Sequence, residues 1–249
     1  MREIVFIISA PSGSGKSTLT AELRKVVDHL EFSISYTTRG PRGSEHNSKE
    51  YFFVTRDQFQ KMIEEGQFLE YAEVFGNCYG TAARFLREAL ARGNDLILDI
   101  DVKGAEQVQK KLPDAVSIFV LPPSREELER RLRRRTLAEN EEQRKLTGDS
   151  RRVEELEPIV QRRLQEASRE IEKYSQYDYI LVNEKVEPAI DVLQSIVQAE
   201  RLKRSPEPPR PGDEQVRATA KLAERRNMME QVQTVLATFE ESRSHTTTE

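Results

Sequence analysis

A glycine-rich stretch near the start of the chain carries the residues best suited to phosphate chemistry. Residues 10–17 read Ala-Pro-Ser-Gly-Ser-Gly-Lys-Ser, between an apolar run at 4–8 and a helix-like run that begins near Ser17. Small residues let the backbone curl around an anion with its N–H groups inward, and the following helix adds its positive end. Lys16 could reach the outer phosphates of a nucleotide, and the Ser17 hydroxyl could bind Mg²⁺. Ala10 stands where such loops usually begin with glycine; the correct flanks favour a phosphate loop over an ordinary strand–turn–helix junction.

A second group of candidate residues, between positions 35 and 81, combines arginines with hydroxyl and carboxylate groups. Residues 35–42 read Ser-Tyr-Thr-Thr-Arg-Gly-Pro-Arg, residues 68–71 read Phe-Leu-Glu-Tyr, and residues 76–81 read Gly-Asn-Cys-Tyr-Gly-Thr. Guanidinium groups and phenolic hydroxyls are good ligands for phosphate oxygens. Any one fragment alone is more often a solvated loop or a structural residue, so their significance rests on the combination.

The elements that must position these residues are visible as alternating apolar runs. Strand-length runs at 4–8, 96–100, 116–121 and 179–182 predict a parallel sheet covered on both faces, a three-layer α/β/α fold. The helix-like segments between and after them lie at 16–29, 103–111, 124–134, 154–175 and 186–203. The stretch 32–81 breaks this rhythm and predicts a small, mostly antiparallel insertion with a helix near 56–64. Ligands bind at the carboxyl ends of such strands, where an insertion could hold a second substrate.

Length and composition exclude several classes of protein. The 249 residues suffice for one α/β domain of about 200 residues plus an appendage. A net charge of −4 gives no bulk attraction to nucleic acid or an anionic membrane. No apolar stretch approaches the roughly 20 residues that span a bilayer, and the N-terminus lacks a secretory signal pattern. Cys78 is the single cysteine and the three histidines are scattered, so we expect a cytoplasmic protein without a disulfide or a zinc site.

Two segments outside the core pattern carry separate expectations. Residues 134–153 are highly charged, which suits a mobile closing lid, although a charged surface loop or a helix extension fits the composition equally well. Residues 205–213 form a proline-rich linker. The extension 214–249 then predicts a helix over 214–240, whose apolar stripe could dock on the body or pair with a second copy, giving a monomer or a homodimer. That stripe consists of Leu222, Met229, Val232, Leu236 and Phe239.

Five motifs, in their order along the chain, resemble those of the guanylate kinase family over about residues 3–204. They are the phosphate loop, Ser-x-Thr-Thr-Arg-x-Pro-Arg, Phe-Leu-Glu-Tyr, Gly-Asn-x-Tyr-Gly-Thr, and Leu-Asp-Ile-Asp-Val-Lys-Gly at 98–104. The resemblance implies a P-loop kinase that transfers the γ-phosphoryl of ATP to GMP, and to dGMP, with Mg²⁺, giving ADP and a diphosphate. It also implies a core at 1–31 and 82–204 and a GMP-binding insertion at 32–81.

The resemblance further implies roles for individual residues. ATP would be bound by Ala10, Pro11, Ser12, Gly13, Ser14, Gly15, Lys16, Ser17 and Thr18. GMP would be bound by Ser35, Arg39, Arg42, Tyr51, Glu70, Tyr79, Thr81 and Asp101. Ser17 and Asp99 would lie at the Mg²⁺. The residues implied to act in catalysis are Lys16, Arg39, Arg131, Arg135 and Arg163.

The chemistry of guanine supports the acceptor assignment independently. Its N1–H and N2–H₂ groups are donors that a carboxylate such as Glu70 or Asp101 can accept, and its O6 can accept from the Thr81 hydroxyl. Adenine lacks the paired donors and would leave a buried carboxylate unmatched. A site that hydrogen-bonds in this way can discriminate by roughly 10⁴–10⁵.

The sequence leaves other interpretations open and departs from the family pattern in places. The segment between Arg135 and Arg163 is long, which puts the arginine roles in the lid in doubt; Ser44, Ser48 and Cys78 also differ from common choices. Some domains of this type are protein-binding scaffolds, but those typically lose the phosphate loop that this chain retains. A kinase for another phosphorylated acceptor would be expected to lack the guanine-reading residues.

Overall fold

Residues 3–42, 45–148 and 151–245 are described by the computed structural model. The strands are β1 (Val5–Ser9), β2 (Leu30–Phe32), β3 (Tyr36–Thr37), β4 (Phe52–Phe53), β5 (Phe68–Val74), β6 (Asn77–Ala82), β7 (Asp95–Asp99), β8 (Val116–Leu121) and β9 (Tyr179–Val182). The α-helices are α1 (Lys16–Val26), α2 (Arg56–Glu64), α3 (Ala83–Ala91), α4 (Val102–Lys111), α5 (Arg125–Thr147), α6 (Val153–Ile171), α7 (Val186–Arg204), α8 (Asp213–Leu222) and α9 (Met229–His245). Within these ranges no helix is long and apolar enough to cross a membrane.

The core of the molecule is a parallel sheet with the strand order β2-β7-β1-β8-β9. Phe6, Ile7 and Ile8 of the central strand β1 are fully buried, because hydrophobic clusters cover both faces of the sheet. The predicted α/β fold is therefore confirmed. Strand β2 was not predicted: Phe32, which the sequence analysis placed in the insertion, pairs with Ile97 at the edge of this sheet. Three residues are too few to give a periodic signal.

The insertion forms a second sheet with the strand order β4-β3-β6-β5. Strands β3 and β4 run parallel, and the other neighbours are antiparallel. Aromatic rings give this sheet its own small core: the Tyr36 and Phe52 centroids lie 4.7 Å apart, and those of Phe59 on α2 and Phe68 lie 4.5 Å apart. This packing fixes the strands that carry the second group of candidate residues.

Helix α5 continues well beyond the predicted boundary at residue 134. It ends at Thr147, with Gly148 as a left-handed cap at φ +74°. No glycine or proline interrupts the stretch, and ion pairs such as Arg135–Glu139 and Arg144–Glu141 support its exposed turns. Of the interpretations left open for 134–153, a helix extension accounts for the residues up to 147.

The C-terminal extension consists of two helices rather than one. Between α8 and α9 the chain turns so that Ile180 N–H of β9 donates to Ala223 O at 2.8 Å and Arg225 N–H donates to Asp178 O at 2.9 Å. The break changes the predicted stripe: Val232 and Phe239 are buried in the core, whereas Leu222 is 70% exposed. The extension therefore packs on the body of the molecule through both α8 and α9. The turn between these helices makes one antiparallel bridge, from Glu224 to Tyr179, at the outer edge of β9.

Candidate active site

One cavity of about 770 Å³ lies beyond the carboxyl ends of β1 and β7 and brings both groups of candidate residues together. Its walls come from the phosphate loop, the insertion, α5 and α6. The sequence-predicted residues that line it are Ala10, Pro11, Ser12, Gly13, Gly15, Lys16, Ser17, Thr18, Ser35, Arg42, Tyr51, Glu70, Tyr79, Asp99, Asp101, Arg131, Arg135 and Arg163. Three further predicted residues, Ser14, Arg39 and Thr81, are not part of this lining.

The phosphate loop depends on two glycines with positive φ, Gly13 at +93° and Gly15 at +92°. A Cβ on Gly13 would lie 2.9 Å from Leu128 and 3.0 Å from Leu132, so the loop rests directly on α5. A Cβ on Gly15 would collide with the Asn183 amide. Only glycine satisfies both the backbone conformation and the close approach.

Lys16 lies at the start of α1 with its ammonium group turned into the cavity. Its Nζ is 2.5 Å from Asp99 Oδ1 and donates to Ile100 O at 2.7 Å. Burial acts to lower the pKa of Lys16, but the charge of Asp99 and the hydrogen bond to it outweigh burial, so the pKa is raised above its ordinary value. Lys16 therefore stays cationic, as a ligand for phosphate must.

Ser17 and Asp99 supply one hydroxyl and one carboxylate at the same end of the cavity. The described residues contain no cluster of three or more His, Cys, Asp or Glu side chains placed to hold a metal ion. The donor set instead suits Mg²⁺ that arrives with a nucleotide, because that ion keeps waters and phosphate oxygens as most of its ligands. Asp99 also accepts from the Thr20 hydroxyl at 3.0 Å, which orients the carboxylate.

Arg39 makes a two-pronged ion pair with Glu45. Its Nη1 and Nη2 lie 2.8 and 3.0 Å from the two Glu45 oxygens, and its guanidinium lies 5.2 Å from the centroid of the Tyr51 ring. The Arg39 side chain is only 9% exposed. Arg39 thus lies against Tyr51 rather than in the cavity lining, and the carboxylate partner was not predicted from the sequence.

Glu70 is a buried carboxylate, 3% exposed, that faces the cavity from β5. Burial raises its pKa to about 7, against the hydrogen bonds from Thr81 and with the added effect of Asp101. Thr81 is fully buried beside it, and its hydroxyl lies 3.4 Å from the Ser35 hydroxyl. A Cβ on Gly104 would collide with the Glu70 carboxylate, which explains the glycine in the motif at 98–104.

Asp101 has a structural contact as well as a place in the cavity. Its carboxylate accepts from Gly104 N–H at 2.8 Å and so caps the N-terminus of α4. The same cap holds Gly104 against Glu70. Asp101 therefore positions the wall behind Glu70 as well as lining the cavity itself.

The three predicted arginines on α5 and α6 each donate to other groups of the protein. Arg131 donates to Glu127 at 2.7 Å and to Asn183 O at 3.0 Å, next to the phosphate loop. Arg135 donates to Glu139 at 3.0 Å, and Arg163 donates to Glu139 at 2.8 Å. Arg134 and Arg130, which carried no individual prediction, also line the cavity.

The sequence did not predict several residues that contact the site from positions far away along the chain. Asn183 Nδ2 donates to Ser14 O at 2.8 Å and anchors the phosphate loop. Glu170 lines the cavity and accepts from Ser12 N–H; burial raises its pKa to about 7. Neither lies in a recognisable motif. Glu139 had one signal, its position four residues after Arg135 on a helical face.

Comparison with known proteins gives a consistent result. A family model described as guanylate kinase matches residues 2–200. "Guanylate kinase" from Koribacter versatilis (strain Ellin345) is 54% identical over 243 residues, covering 97% of this chain and 98% of that protein. "Guanylate kinase" from Escherichia coli (strain K12) is 42% identical over 203 residues, covering 81% and 90%. The crystal structure of guanylate kinase from Anaplasma phagocytophilum has a TM-score of 0.62 at 31% identity, covering 80% and 87%.

Proposed function

Because this chain belongs to the guanylate kinase family, we propose that ATP binds at the phosphate loop and GMP binds against the insertion. The chain is a nucleoside monophosphate kinase, a phosphotransferase. The observation that carries the residue assignments is the shared cavity: Lys16 from the loop and Glu70 from the insertion line the same space.

On the donor side, the loop N–H groups and Lys16 bind the phosphates of ATP. Lys16 exchanges its contact with Asp99 for phosphate oxygens and so neutralises charge that grows during transfer. Ser17 and Asp99 would help to hold Mg²⁺ that arrives with ATP, and the ion would supply further neutralisation of phosphate charge. Arg131 remains beside the loop, where it adds to the positive field.

On the acceptor side, the GMP phosphate is bound by Arg42, Tyr51, Tyr79 and the Ser35 hydroxyl. Arg39 supports this group through its contact with the Tyr51 ring, and its pairing with Glu45 fixes that contact. Arg135 and Arg163 line the opposite wall of the cavity, which supports a role for them in contacting the transferred phosphoryl.

The guanine base is read by Glu70 and Thr81, with Asp101 beside them. An ionised Glu70 accepts from N1–H and N2–H₂, and the Thr81 hydroxyl donates to O6. These contacts involve the base alone, so dGMP is expected to serve as an acceptor as well as GMP.

An acceptor screen with ATP and Mg²⁺ tests this assignment. GMP and dGMP should give rapid ADP formation, and AMP and UMP should give little, because neither presents the paired donors of guanine. Equal turnover with AMP would contradict guanine recognition by Glu70 and Thr81. A folded protein that shows no turnover with any acceptor would instead favour a protein-binding scaffold.

A further inference from the structure

One carboxylate on α5 joins three arginines that line the cavity from three different elements. Glu139 accepts from Arg42 Nη1 at 2.8 Å, from Arg135 Nε at 3.0 Å and from Arg163 Nη2 at 2.8 Å. Arg42 comes from the insertion, Arg135 from α5 and Arg163 from α6. Glu139 lies in the part of α5 beyond Arg135, within the long segment that departs from the family pattern.

The three arginines form an anion-binding site, and the Glu139 carboxylate occupies it. Burial acts to raise the pKa of Glu139, but the hydrogen bond from Arg163 and the charges of Arg42 and Arg135 outweigh it and lower the pKa. Glu139 is therefore ionised at neutral pH. A carboxylate and a phosphate can both accept paired, charge-assisted hydrogen bonds from guanidinium groups, so either anion can bind to the same arginines.

The guanidinium groups need such a counter-ion. Burial lowers the pKa of Arg42, and the neighbouring charges of Arg39 and Arg135 lower it further, while Glu139 opposes both effects. Without an anion, these like charges would repel one another. Glu139 thus supplies the counter-charge for these arginines when no substrate is present.

We propose that Glu139 is a positioning residue that holds Arg42, Arg135 and Arg163 in the substrate-free enzyme and competes with the acceptor phosphate for Arg42. The inference rests on the proposed function, in which Arg42 binds the phosphate of the acceptor. A nucleotide phosphate carries more charge than the Glu139 carboxylate and takes Arg42 from it.

In the substrate-free enzyme Glu139 also keeps Arg135 and Arg163 paired with a protein carboxylate, so that they are not free to contact the donor phosphates. Removal of the Glu139 charge frees both arginines for ATP, which favours transfer of its phosphoryl group to water.

The variant Glu139→Gln tests the proposal, because it keeps the size of the side chain and removes its charge. The KM for GMP should fall about two- to tenfold, the range for losing a partly buried competing ion pair. ADP formation from ATP without an acceptor should rise. The matched control is Glu141→Gln on the same helix, whose exposed partner is Arg144; it should change neither quantity.

A KM for GMP that stays unchanged or rises in Glu139→Gln would overturn the proposal, since the carboxylate would then not compete. Should that variant fail to fold, Glu139→Asp keeps the charge and shortens the reach, and its KM should fall by a smaller factor; an unchanged or higher KM overturns the proposal equally. Absence of GMP-dependent turnover in the wild type would instead overturn the proposed function together with this inference.

Discussion

The donor and acceptor ends of the cavity are built by different means. At the donor end the backbone forms the site: Gly13 and Gly15 curl the loop, and α5 and Asn183 support it from behind. At the acceptor end charged side chains form the site, and protein carboxylates such as Glu45 and Glu139 hold the arginines.

The two ends therefore require different contacts to be broken by the substrates that are proposed to bind there. In the proposed complex a nucleotide triphosphate meets a loop whose backbone is already curled, where Lys16 must release Asp99 and Ser12 N–H must release Glu170. If Arg42 binds the acceptor phosphate as proposed, the monophosphate must displace Glu139 from it. Changes at the donor end should therefore appear mainly in kcat, and changes at the acceptor end mainly in the KM for GMP.

The largest effect is expected at the donor end. Lys16→Ala should lower kcat by at least about 10²-fold, because it removes a charge that acts mainly during transfer. Steady-state kinetics with saturating GMP and ATP measure this. Lys25→Ala, on the same helix with an exposed partner in Glu22, is the control. A kcat within twofold of the wild type would contradict the donor assignment.

At the acceptor end, Glu70→Gln should raise the KM for GMP about 10- to 100-fold, because a charge-assisted hydrogen bond to the base is lost. The KM for ATP should stay the same. Glu73→Gln, an exposed position on the same strand, is the matched control. Equal changes in both KM values would mean that the two ends are not independent.

Glu70→Gln should weaken GMP binding but increase the stability of the fold at high pH. The pKa of Glu70 is raised to about 7 in the folded chain, so the folded state binds an extra proton between about pH 4.5 and 7. Stability is lost as the pH rises through that window. Glu70→Gln should therefore exceed the wild type in free energy of unfolding at pH 8, by up to about 3 kcal/mol, with the gap closing near pH 5. Denaturant titrations at the two pH values decide this; a gap independent of pH would reject it.

The smallest expected effect concerns the support behind the donor loop. The Thr238 hydroxyl of α9 accepts from Arg125 N–H, the first amide of α5, at 3.0 Å. Thr238→Val should lower the free energy of unfolding by about 1 kcal/mol, since a helix N-terminus loses an acceptor. Thr234→Val removes only a hydroxyl bond to Glu230 O on an exposed face, and it should leave stability nearly unchanged. Equal losses in the two variants would show that α9 does not support α5 in this way.

The features that could be predicted from the sequence are those formed by residues close together along the chain. The phosphate loop and its flanks lie within one short stretch, and the main strands coincide with continuous apolar runs. Both could therefore be predicted from the sequence. The extent of α5 could not, because highly charged segments have the same composition as loops, and only the ion pairs and Gly148 decide where the helix ends.

The contacts missed from the sequence span long separations or depend on packing. Asn183 lies 169 residues from Ser14, and nothing in its neighbourhood marks it as an anchor. Glu139 could be placed on a helix face but not opposite Arg42, which lies 97 residues away. The turn between α8 and α9 follows from docking on β9, which no local periodicity encodes.

That turn also bears on how the molecule behaves in a crowded solution. The outermost strand of an open sheet presents unsatisfied peptide groups, and such groups can recruit a strand from a neighbouring molecule and start aggregation. Here Ala223 O accepts from Ile180 N–H on β9, and Arg225 N–H donates to Asp178 O just before that strand. The bridging segment is too short to act as an edge strand itself. The C-terminal extension therefore covers part of the β9 edge that a strand from another molecule could otherwise pair with.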